Sequence, residues 1–462
     1  MEIDKRAVLI TVCLSSFLTP FNSSSFNIAL PSIAEEYTLD AISMSWASLS
    51  YLLASAMFLI PFGRIADMYG RKKVFLYGII VFTISSAILG IHPSSSTLVL
   101  LRALQGIGAA MIFGTSLAIL VSVSSPQERG TMLGASVAVV YVGLSAGPYL
   151  GGLLTKTFGW RSIFLANVII GVLVTILILT KLRTEWRMES TGKFDIVGSV
   201  VFSLMLLALM YGMSMLPSPA AYLPIAIGVT LTALFVVIEG RVDNPVLDLN
   251  LFRSNLPYTM FNVSALINFS ATFSLTFLLS LYLQYIKGLD PQQAGAIMMA
   301  SPVIQAIVSP IAGKLSDRIQ PSRIATLGMM VTALSLVPLV FLNDATSIMY
   351  IIGSLMVLGC GLALFSSPNT NAIMGCVTPS LFGVASSTVG TMRLTGQMLS
   401  QGIAMTIIAI YLGSEAIIPE LYPSLLLTIS VTLKIFLLIC ILGAAASYVG
   451  SRVASNNMSG DV

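Results

Sequence analysis

The sequence predicts an all-α polytopic membrane protein with fourteen transmembrane helices. Three observations predict it. The 462 residues are 56% hydrophobic and only 9% charged, too apolar for a soluble domain but suited to a chain solvated by lipid. The apolar residues fall in runs of about 20, the length that crosses a bilayer core. The basic residues gather on one side of the resulting topology. The net charge of +4 is modest, and the placement of the basic residues does not describe a nucleic-acid surface.

Lys5 and Arg6 lead into the first run, 7–30. This run is too long for a signal-peptide core and has no cleavage site behind it, so it is read as a retained span. Five more spans follow at 44–64, 74–92, 97–122, 131–154 and 162–181. A pair lies at 195–215 and 222–239. The last six lie at 257–284, 294–314, 324–342, 347–375, 384–412 and 425–449. Short connections leave no room for a soluble domain. The expected organisation is a six-span bundle over 1–181, an inserted pair with flanking loops over 182–256, and a second six-span bundle with a short tail over 257–462.

An even span count puts both ends on one side. Lys5, Arg6, Arg64, the Arg71–Lys73 cluster, Arg318, Arg323 and Arg452 fall there, whereas Lys156, Arg161 and Lys287 fall opposite. The bias places both termini in the cytoplasm. Trp46, Trp160 and Trp186 sit at span ends, as interfacial anchors do. Cys13, Cys360, Cys376 and Cys440 lie in or beside apolar runs and read as reduced packing residues.

Three motifs carry mechanism. Gly63-Arg-Ile-Ala-Asp67-Met-Tyr-Gly70-Arg71-Lys72-Lys73 follows span two, and a weaker copy, Gly313-Lys-Leu-Ser-Asp317-Arg318, follows span ten. The recurrence implies parallel halves, spans 1–6 and 9–14, with spans 7–8 inserted. A carboxylate at such a helix end pairs with loop cations or faces a helix N-terminus; the alternative is a surface ion pair of little weight. Span four carries Arg102-Ala-Leu-Gln105-Gly106-Ile-Gly108. An arginine there needs water or a partner, unless it snorkels to the surface. Span five carries Gly134, Gly143, Gly147, Pro148, Gly151 and Gly152, a flat, kinked face for close helix packing.

Together these motifs resemble the major facilitator superfamily. Asn27-Ile-Ala-Leu-Pro31, Phe158-Gly-Trp160-Arg161, Asn244-Pro245-Val-Leu-Asp248, Leu281-Tyr282-Leu-Gln284-Tyr285, Ser367-Pro368-Asn369-Thr370-Asn371 and Arg393-Leu-Thr-Gly396-Gln397 extend the resemblance to its fourteen-span drug:proton antiporter branch. The resemblance implies the major facilitator fold, two six-helix bundles plus an inserted helix pair. It implies a conformational latch at Gly63, Asp67, Gly70 and Arg71, repeated at Gly313, Asp317 and Arg318. It links Arg102 to proton coupling, for which Asp67 and Gln105 are further candidates in this chain. It makes Gly143, Gly147, Pro148, Gly151 and Gly152 the antiporter motif that seals the halves.

The sequence departs from that branch in span one. Where the branch has Leu-Asp-x-Thr, this chain has Phe21-Asn22-Ser23-Ser24. A carboxylate binds a proton or neutralises a cation; asparagine does neither. No Asp or Glu falls near the middle of any span, and the embedded ionisable groups are Arg102, Arg393 and Lys434. His92 lies at the outer end of span three. A cavity of neutral to positive character follows. Its polar lining candidates are Asn22, Ser25, Asn27, Asn262, Asn268, Gln305, Asn369, Asn371 and Arg393, with structural hydrogen bonds between helices as the rival role.

The expected function is secondary active efflux of organic solutes by alternating access, coupled to protons. The alternative is a facilitator or importer of a neutral or anionic solute without proton coupling, and a second is a non-transporting sensor or assembly partner. Nothing resembles a catalytic constellation, a metal cluster or a phosphate loop, so neither an enzyme nor a cofactor is expected. The expected partners are the lipid bilayer, a small organic substrate and a proton, with the chain acting as a monomer in the plasma membrane.

Overall fold

The computed structural model describes residues 5–91, 94–124, 128–182, 184–186, 195–242, 245, 247, 249–316, 318–378, 381–413 and 415–459. His92, Asn244, Asp248 and Asp317 lie outside the described residues. Among the described residues there is no β-strand, and fourteen helices are long and apolar enough to cross a membrane. They are α1 (Lys5–Tyr37), α2 (Ala41–Tyr69), α3 (Arg71–Ile91), α4 (Ser95–Val123), α5 (Arg129–Phe158), α6 (Arg161–Lys181), α7 (Ile196–Ser214), α8 (Tyr222–Glu239), α9 (Leu256–Ile286), α10 (Pro291–Ser316), α11 (Pro321–Val340), α12 (Ile348–Gly375), α13 (Phe382–Tyr411) and α14 (Tyr422–Ser459).

Local chemistry sets several boundaries. Asp40 accepts from the Ser43 amide at 2.6 Å and caps α2. Ser94 and Thr97 form a reciprocal capping box that starts α4. Asp290 and Gln293 do the same for α10, with Pro291 at its first turn, where the missing N–H costs nothing. The first and last helices outrun their apolar runs. α1 reaches Tyr37 because Glu36, past the apolar stretch, is held by Trp160 and Arg161 at 2.7 and 2.8 Å.

The chain forms two compact units. One comprises residues 1–207 with 289–299; the other comprises 208–288 with 300–462. In the first, α1 packs on α5 and α6, α2 on α4, and α3 on α4 and α6. In the second, α9 packs on α13 and α14, α10 on α12, and α11 on α12 and α14. The two patterns match under an offset of eight helices, so each set of six buries its apolar faces in the same way. α9 is interrupted: regular helix stops at Thr272 and resumes at Leu275. The Ser274 amide at the break donates to the Ser400 hydroxyl at 3.0 Å, and its hydroxyl donates to Gln401 Oε1 at 3.0 Å. Side chains of α13 thus satisfy groups that a break would otherwise leave bare in the membrane.

Candidate functional site

The first unit holds a polar core where apolar packing is the rule. Arg102 is 1% exposed, and its guanidinium lies between two rings, 4.0 Å from the centroid of Phe26 and 4.6 Å from that of Tyr51. Nη1 donates to Gln105 Oε1 at 2.5 Å and Nε to the Ala47 carbonyl at 3.2 Å. Each ring face offers negative electrostatic potential, so the pair serves the cation in place of an anion. Gln105 then exchanges two hydrogen bonds with Asn22, both 3.2 Å, and donates to Ser86 at 2.8 Å. Asn167 donates to Asn22 Oδ1 at 2.8 Å. Asn22, Gln105 and Asn167 are completely buried, and Arg102 forms no ion pair with any described residue.

Two features of this core were not read from the sequence. Asn167 is a lone amide in an apolar span, so the rule that selected Asn22 would also have selected it. The Phe26–Tyr51 cage has no sequence signal, because it depends on two helices meeting across Arg102. Asn27 accepts from Ser48 at 3.0 Å, and the Ser25 hydroxyl returns to the Phe21 carbonyl of its own helix at 2.6 Å.

The loop between α2 and α3 forms a second cluster. Arg71 Nε donates to Asp67 Oδ1 at 2.8 Å, and its Nη1 donates to the Ala118 carbonyl at 3.1 Å and the Ser122 hydroxyl at 2.7 Å. One side chain therefore joins the ends of α2, α3 and α4. Gly70 adopts φ +121°, in the region that favours glycine, and turns the chain between α2 and α3. Gly63 has open space around it. In the second unit Gly313 approaches Ser367 at ordinary van der Waals distance, Arg318 is exposed, and Asp317 lies outside the described residues.

Along α5, the motif glycines from Gly143 onward pack closely against neighbouring helices, whereas Gly134 has open space around it. Gly143 faces Phe17 and Pro20 of α1, Gly147 faces Ser24, and Gly151 faces Ser25. Gly152 lies on the Pro291 carbonyl, and the Pro148 carbonyl lies on Gly295, so this face also carries the first turns of α10. Lys156 pairs with Asp290 at 2.9 Å beside that seam. The Asp290 carboxyl is held below its ordinary range, first by the Gln293 amide of its capping box and then by Lys156.

The remaining candidates in the second unit divide by exposure. Asn262, Asn268 and Asn369 are buried; their amide groups donate to the Tyr258 carbonyl, Met329 sulfur and Phe261 carbonyl respectively, and each leaves its Oδ1 without a partner. Gln305, Asn371 and Arg393 keep accessible surface. Asn371 donates to Ser316 at 2.7 Å, and the Arg393 guanidinium lies 5.6 Å from the Phe269 ring centroid. Lys434 lies on an exposed face of α14.

The Major Facilitator Superfamily profile matches residues 12–401. The riboflavin transporter RibZ of Clostridioides difficile (strain 630) is 31% identical over 84% of this chain and 85% of its own length. The multidrug resistance protein Stp of Mycobacterium tuberculosis (strain CDC 1551 / Oshkosh) is 32% identical over 88% of this chain and 76% of its own length. Among solved structures, a bacterial homolog of the human lysosomal transporter Spinster superposes with a TM-score of 0.70, covering 97% of each chain at 16% identity; that likeness concerns the fold alone. The helix count, the repeated packing pattern and these matches agree: the chain belongs to the Major Facilitator Superfamily and is a membrane transporter of small molecules, not an enzyme.

Proposed function

We propose that this chain is a secondary active efflux transporter of organic solutes in the fourteen-span drug:proton antiporter branch, working by alternating access in the cytoplasmic membrane with both termini inside. The six-span bundles 1–181 and 257–462 would alternate around a solute site, with the pair in 182–256 as an addition to that machine. The observation that carries efflux is the α5 seam: Gly143, Gly147 and Gly151 lie on α1, and Gly152 with Pro148 lies on the start of α10. Such a face would hold or release the first turns of α10. The Asp67–Arg71 cluster, joined to α4, serves as the cytoplasmic latch.

The substrate is neutral or anionic in this reading. Arg102 holds a positive charge at membrane depth with aromatic rings and an amide as its partners, and a permanently cationic drug meets no buried anion there. Proton coupling then runs through Asp67 or through the substrate. The test is uptake into everted vesicles before and after a protonophore. Protonophore-sensitive accumulation of a neutral or anionic solute supports antiport. Efficient accumulation of a quaternary ammonium dye, retained in Asp67→Asn, would refute the substrate class.

A second reading is a facilitator or importer without proton coupling. The reciprocal Asn22–Gln105 amide pair favours it, because neither group ionises in the place where a proton site would sit. The similarity to a riboflavin transporter agrees, since a flavin is a neutral organic solute. Flux in right-side-out vesicles that follows the solute gradient and ignores a protonophore would select this reading.

A further inference from the structure

The start of α3 poses a problem that its own sequence does not solve. The first amides of a helix have no intrahelical acceptor, and α3 has no side-chain cap from the preceding residues. The acceptors come instead from the segment after α6. The Lys72 amide donates to Glu185 Oε1 at 2.9 Å, and the Arg71 amide donates to the Trp186 carbonyl at 2.9 Å. A carboxylate from a distant part of the chain therefore caps α3, where the helix dipole favours negative charge. The fit is tight: a Cβ on Gly70 would lie 2.6 Å from Glu185 Cδ.

The residues held this way are those of the cytoplasmic cluster. Arg71 takes its backbone acceptor from Trp186 while its side chain reaches Asp67, Ala118 and Ser122. The clamp thus fixes the guanidinium's origin, and any motion of α3 against α2 and α4 must carry Glu185 or break from it. The segment is also the tether to α7, the first helix of the inserted pair.

We propose that the segment after α6 is a third arm of the cytoplasmic switch, with Glu185 as the positioning residue that holds α3 and Arg71 in the latched arrangement. This rests on the proposed role of Asp67 and Arg71 as that switch. The carboxylate acts through its acceptor oxygen, so an amide at the same length substitutes for it and a methyl group does not.

The test uses the full-length protein in nanodiscs, with wild type, E185A, E185Q and D67N. Hydrogen exchange reports the amides at the start of α3, and maleimide labelling of the native cysteines reports opening of the protein. E185A should raise exchange at Lys72 by about tenfold, the loss of that amide's hydrogen bond to a charged acceptor. It should shift the labelling rate in the same direction as D67N, while E185Q stays near wild type on both readouts. If E185A exchanges and labels like wild type while D67N shifts, the third arm is refuted and the switch stands. If D67N leaves labelling unchanged, the switch reading itself fails, and the wider role of Glu185 fails with it. A purely structural clamp would show as faster exchange in E185A with wild-type labelling, which also refutes the proposal.

Discussion

At the scale of residues, the decisive substitution is Asn22. Its amide donates to Gln105 Oε1 and accepts from Gln105 and Asn167. An aspartic acid reproduces that pattern only when protonated, since its ionised form places an oxygen against Gln105 Oε1. Asparagine therefore holds the core permanently in the arrangement a protonated acid would give. N22D should make transport pH-dependent and add quaternary ammonium substrates, checked by dye uptake across a pH series. Removing the cation should cost more than removing the amide. R102A takes one donor from Gln105 Oε1, which keeps Asn22, and one from the Ala47 carbonyl, and opens a void between Phe26 and Tyr51. Thermal unfolding in detergent should show it as the least stable of the core variants.

Asp290 makes a pH prediction with a definite sign. Its carboxyl is depressed in the folded protein, by the Gln293 amide first and Lys156 second. A depressed carboxyl stabilises the folded state above its unfolded range and loses that contribution as pH falls through the folded value. The loss therefore lies on the acid side of the ordinary aspartate range. D290A should remove the cap at about 0.5–2 kcal/mol at neutral pH, and its melting temperature should converge on that of wild type as pH falls below 4.

At the scale of elements, α5 is a packing surface on two sides. G152L would push Pro291 and the first turn of α10 away, because Gly152 already touches the Pro291 backbone. Labelling of a cysteine placed at Gln292 should then accelerate severalfold, with little change in the amount of folded protein. The glycine spacing made this surface legible in the sequence, and the apolar runs made all fourteen spans legible. The break in α9 was not legible. No proline or glycine marks Phe273, which sits among Ser270, Thr272, Ser274 and Thr276, and the groups at the break are satisfied by Ser400 and Gln401, on a helix far along the chain. The cap of α3 by Glu185 was hidden for the same reason, as was the aromatic cage of Arg102. Local pattern reveals helices and close-packed faces; partners supplied by distant segments need the fold.

At the scale of the molecule, the repeated pairing of α1–α6 and α9–α14 explains why the loop motif recurs after α2 and α10. Asp67 and Arg71 of the first copy are tied into α4 and the segment after α6, which makes that copy the place to test the proposed latch. The charge inventory belongs to this scale too: among the described residues no carboxylate pairs with Arg102, and the proposed substrate preference rests on that balance.

The most direct test is transport into everted vesicles, comparing a panel of neutral and anionic organic solutes with a quaternary ammonium dye, in wild type and N22D, with and without a protonophore. If the proposed function holds, the wild-type protein accumulates a neutral or anionic solute in a protonophore-sensitive manner and leaves the dye behind, and N22D gains the dye. Strong protonophore-sensitive accumulation of the dye by the wild type, with the neutral and anionic solutes excluded, would contradict it.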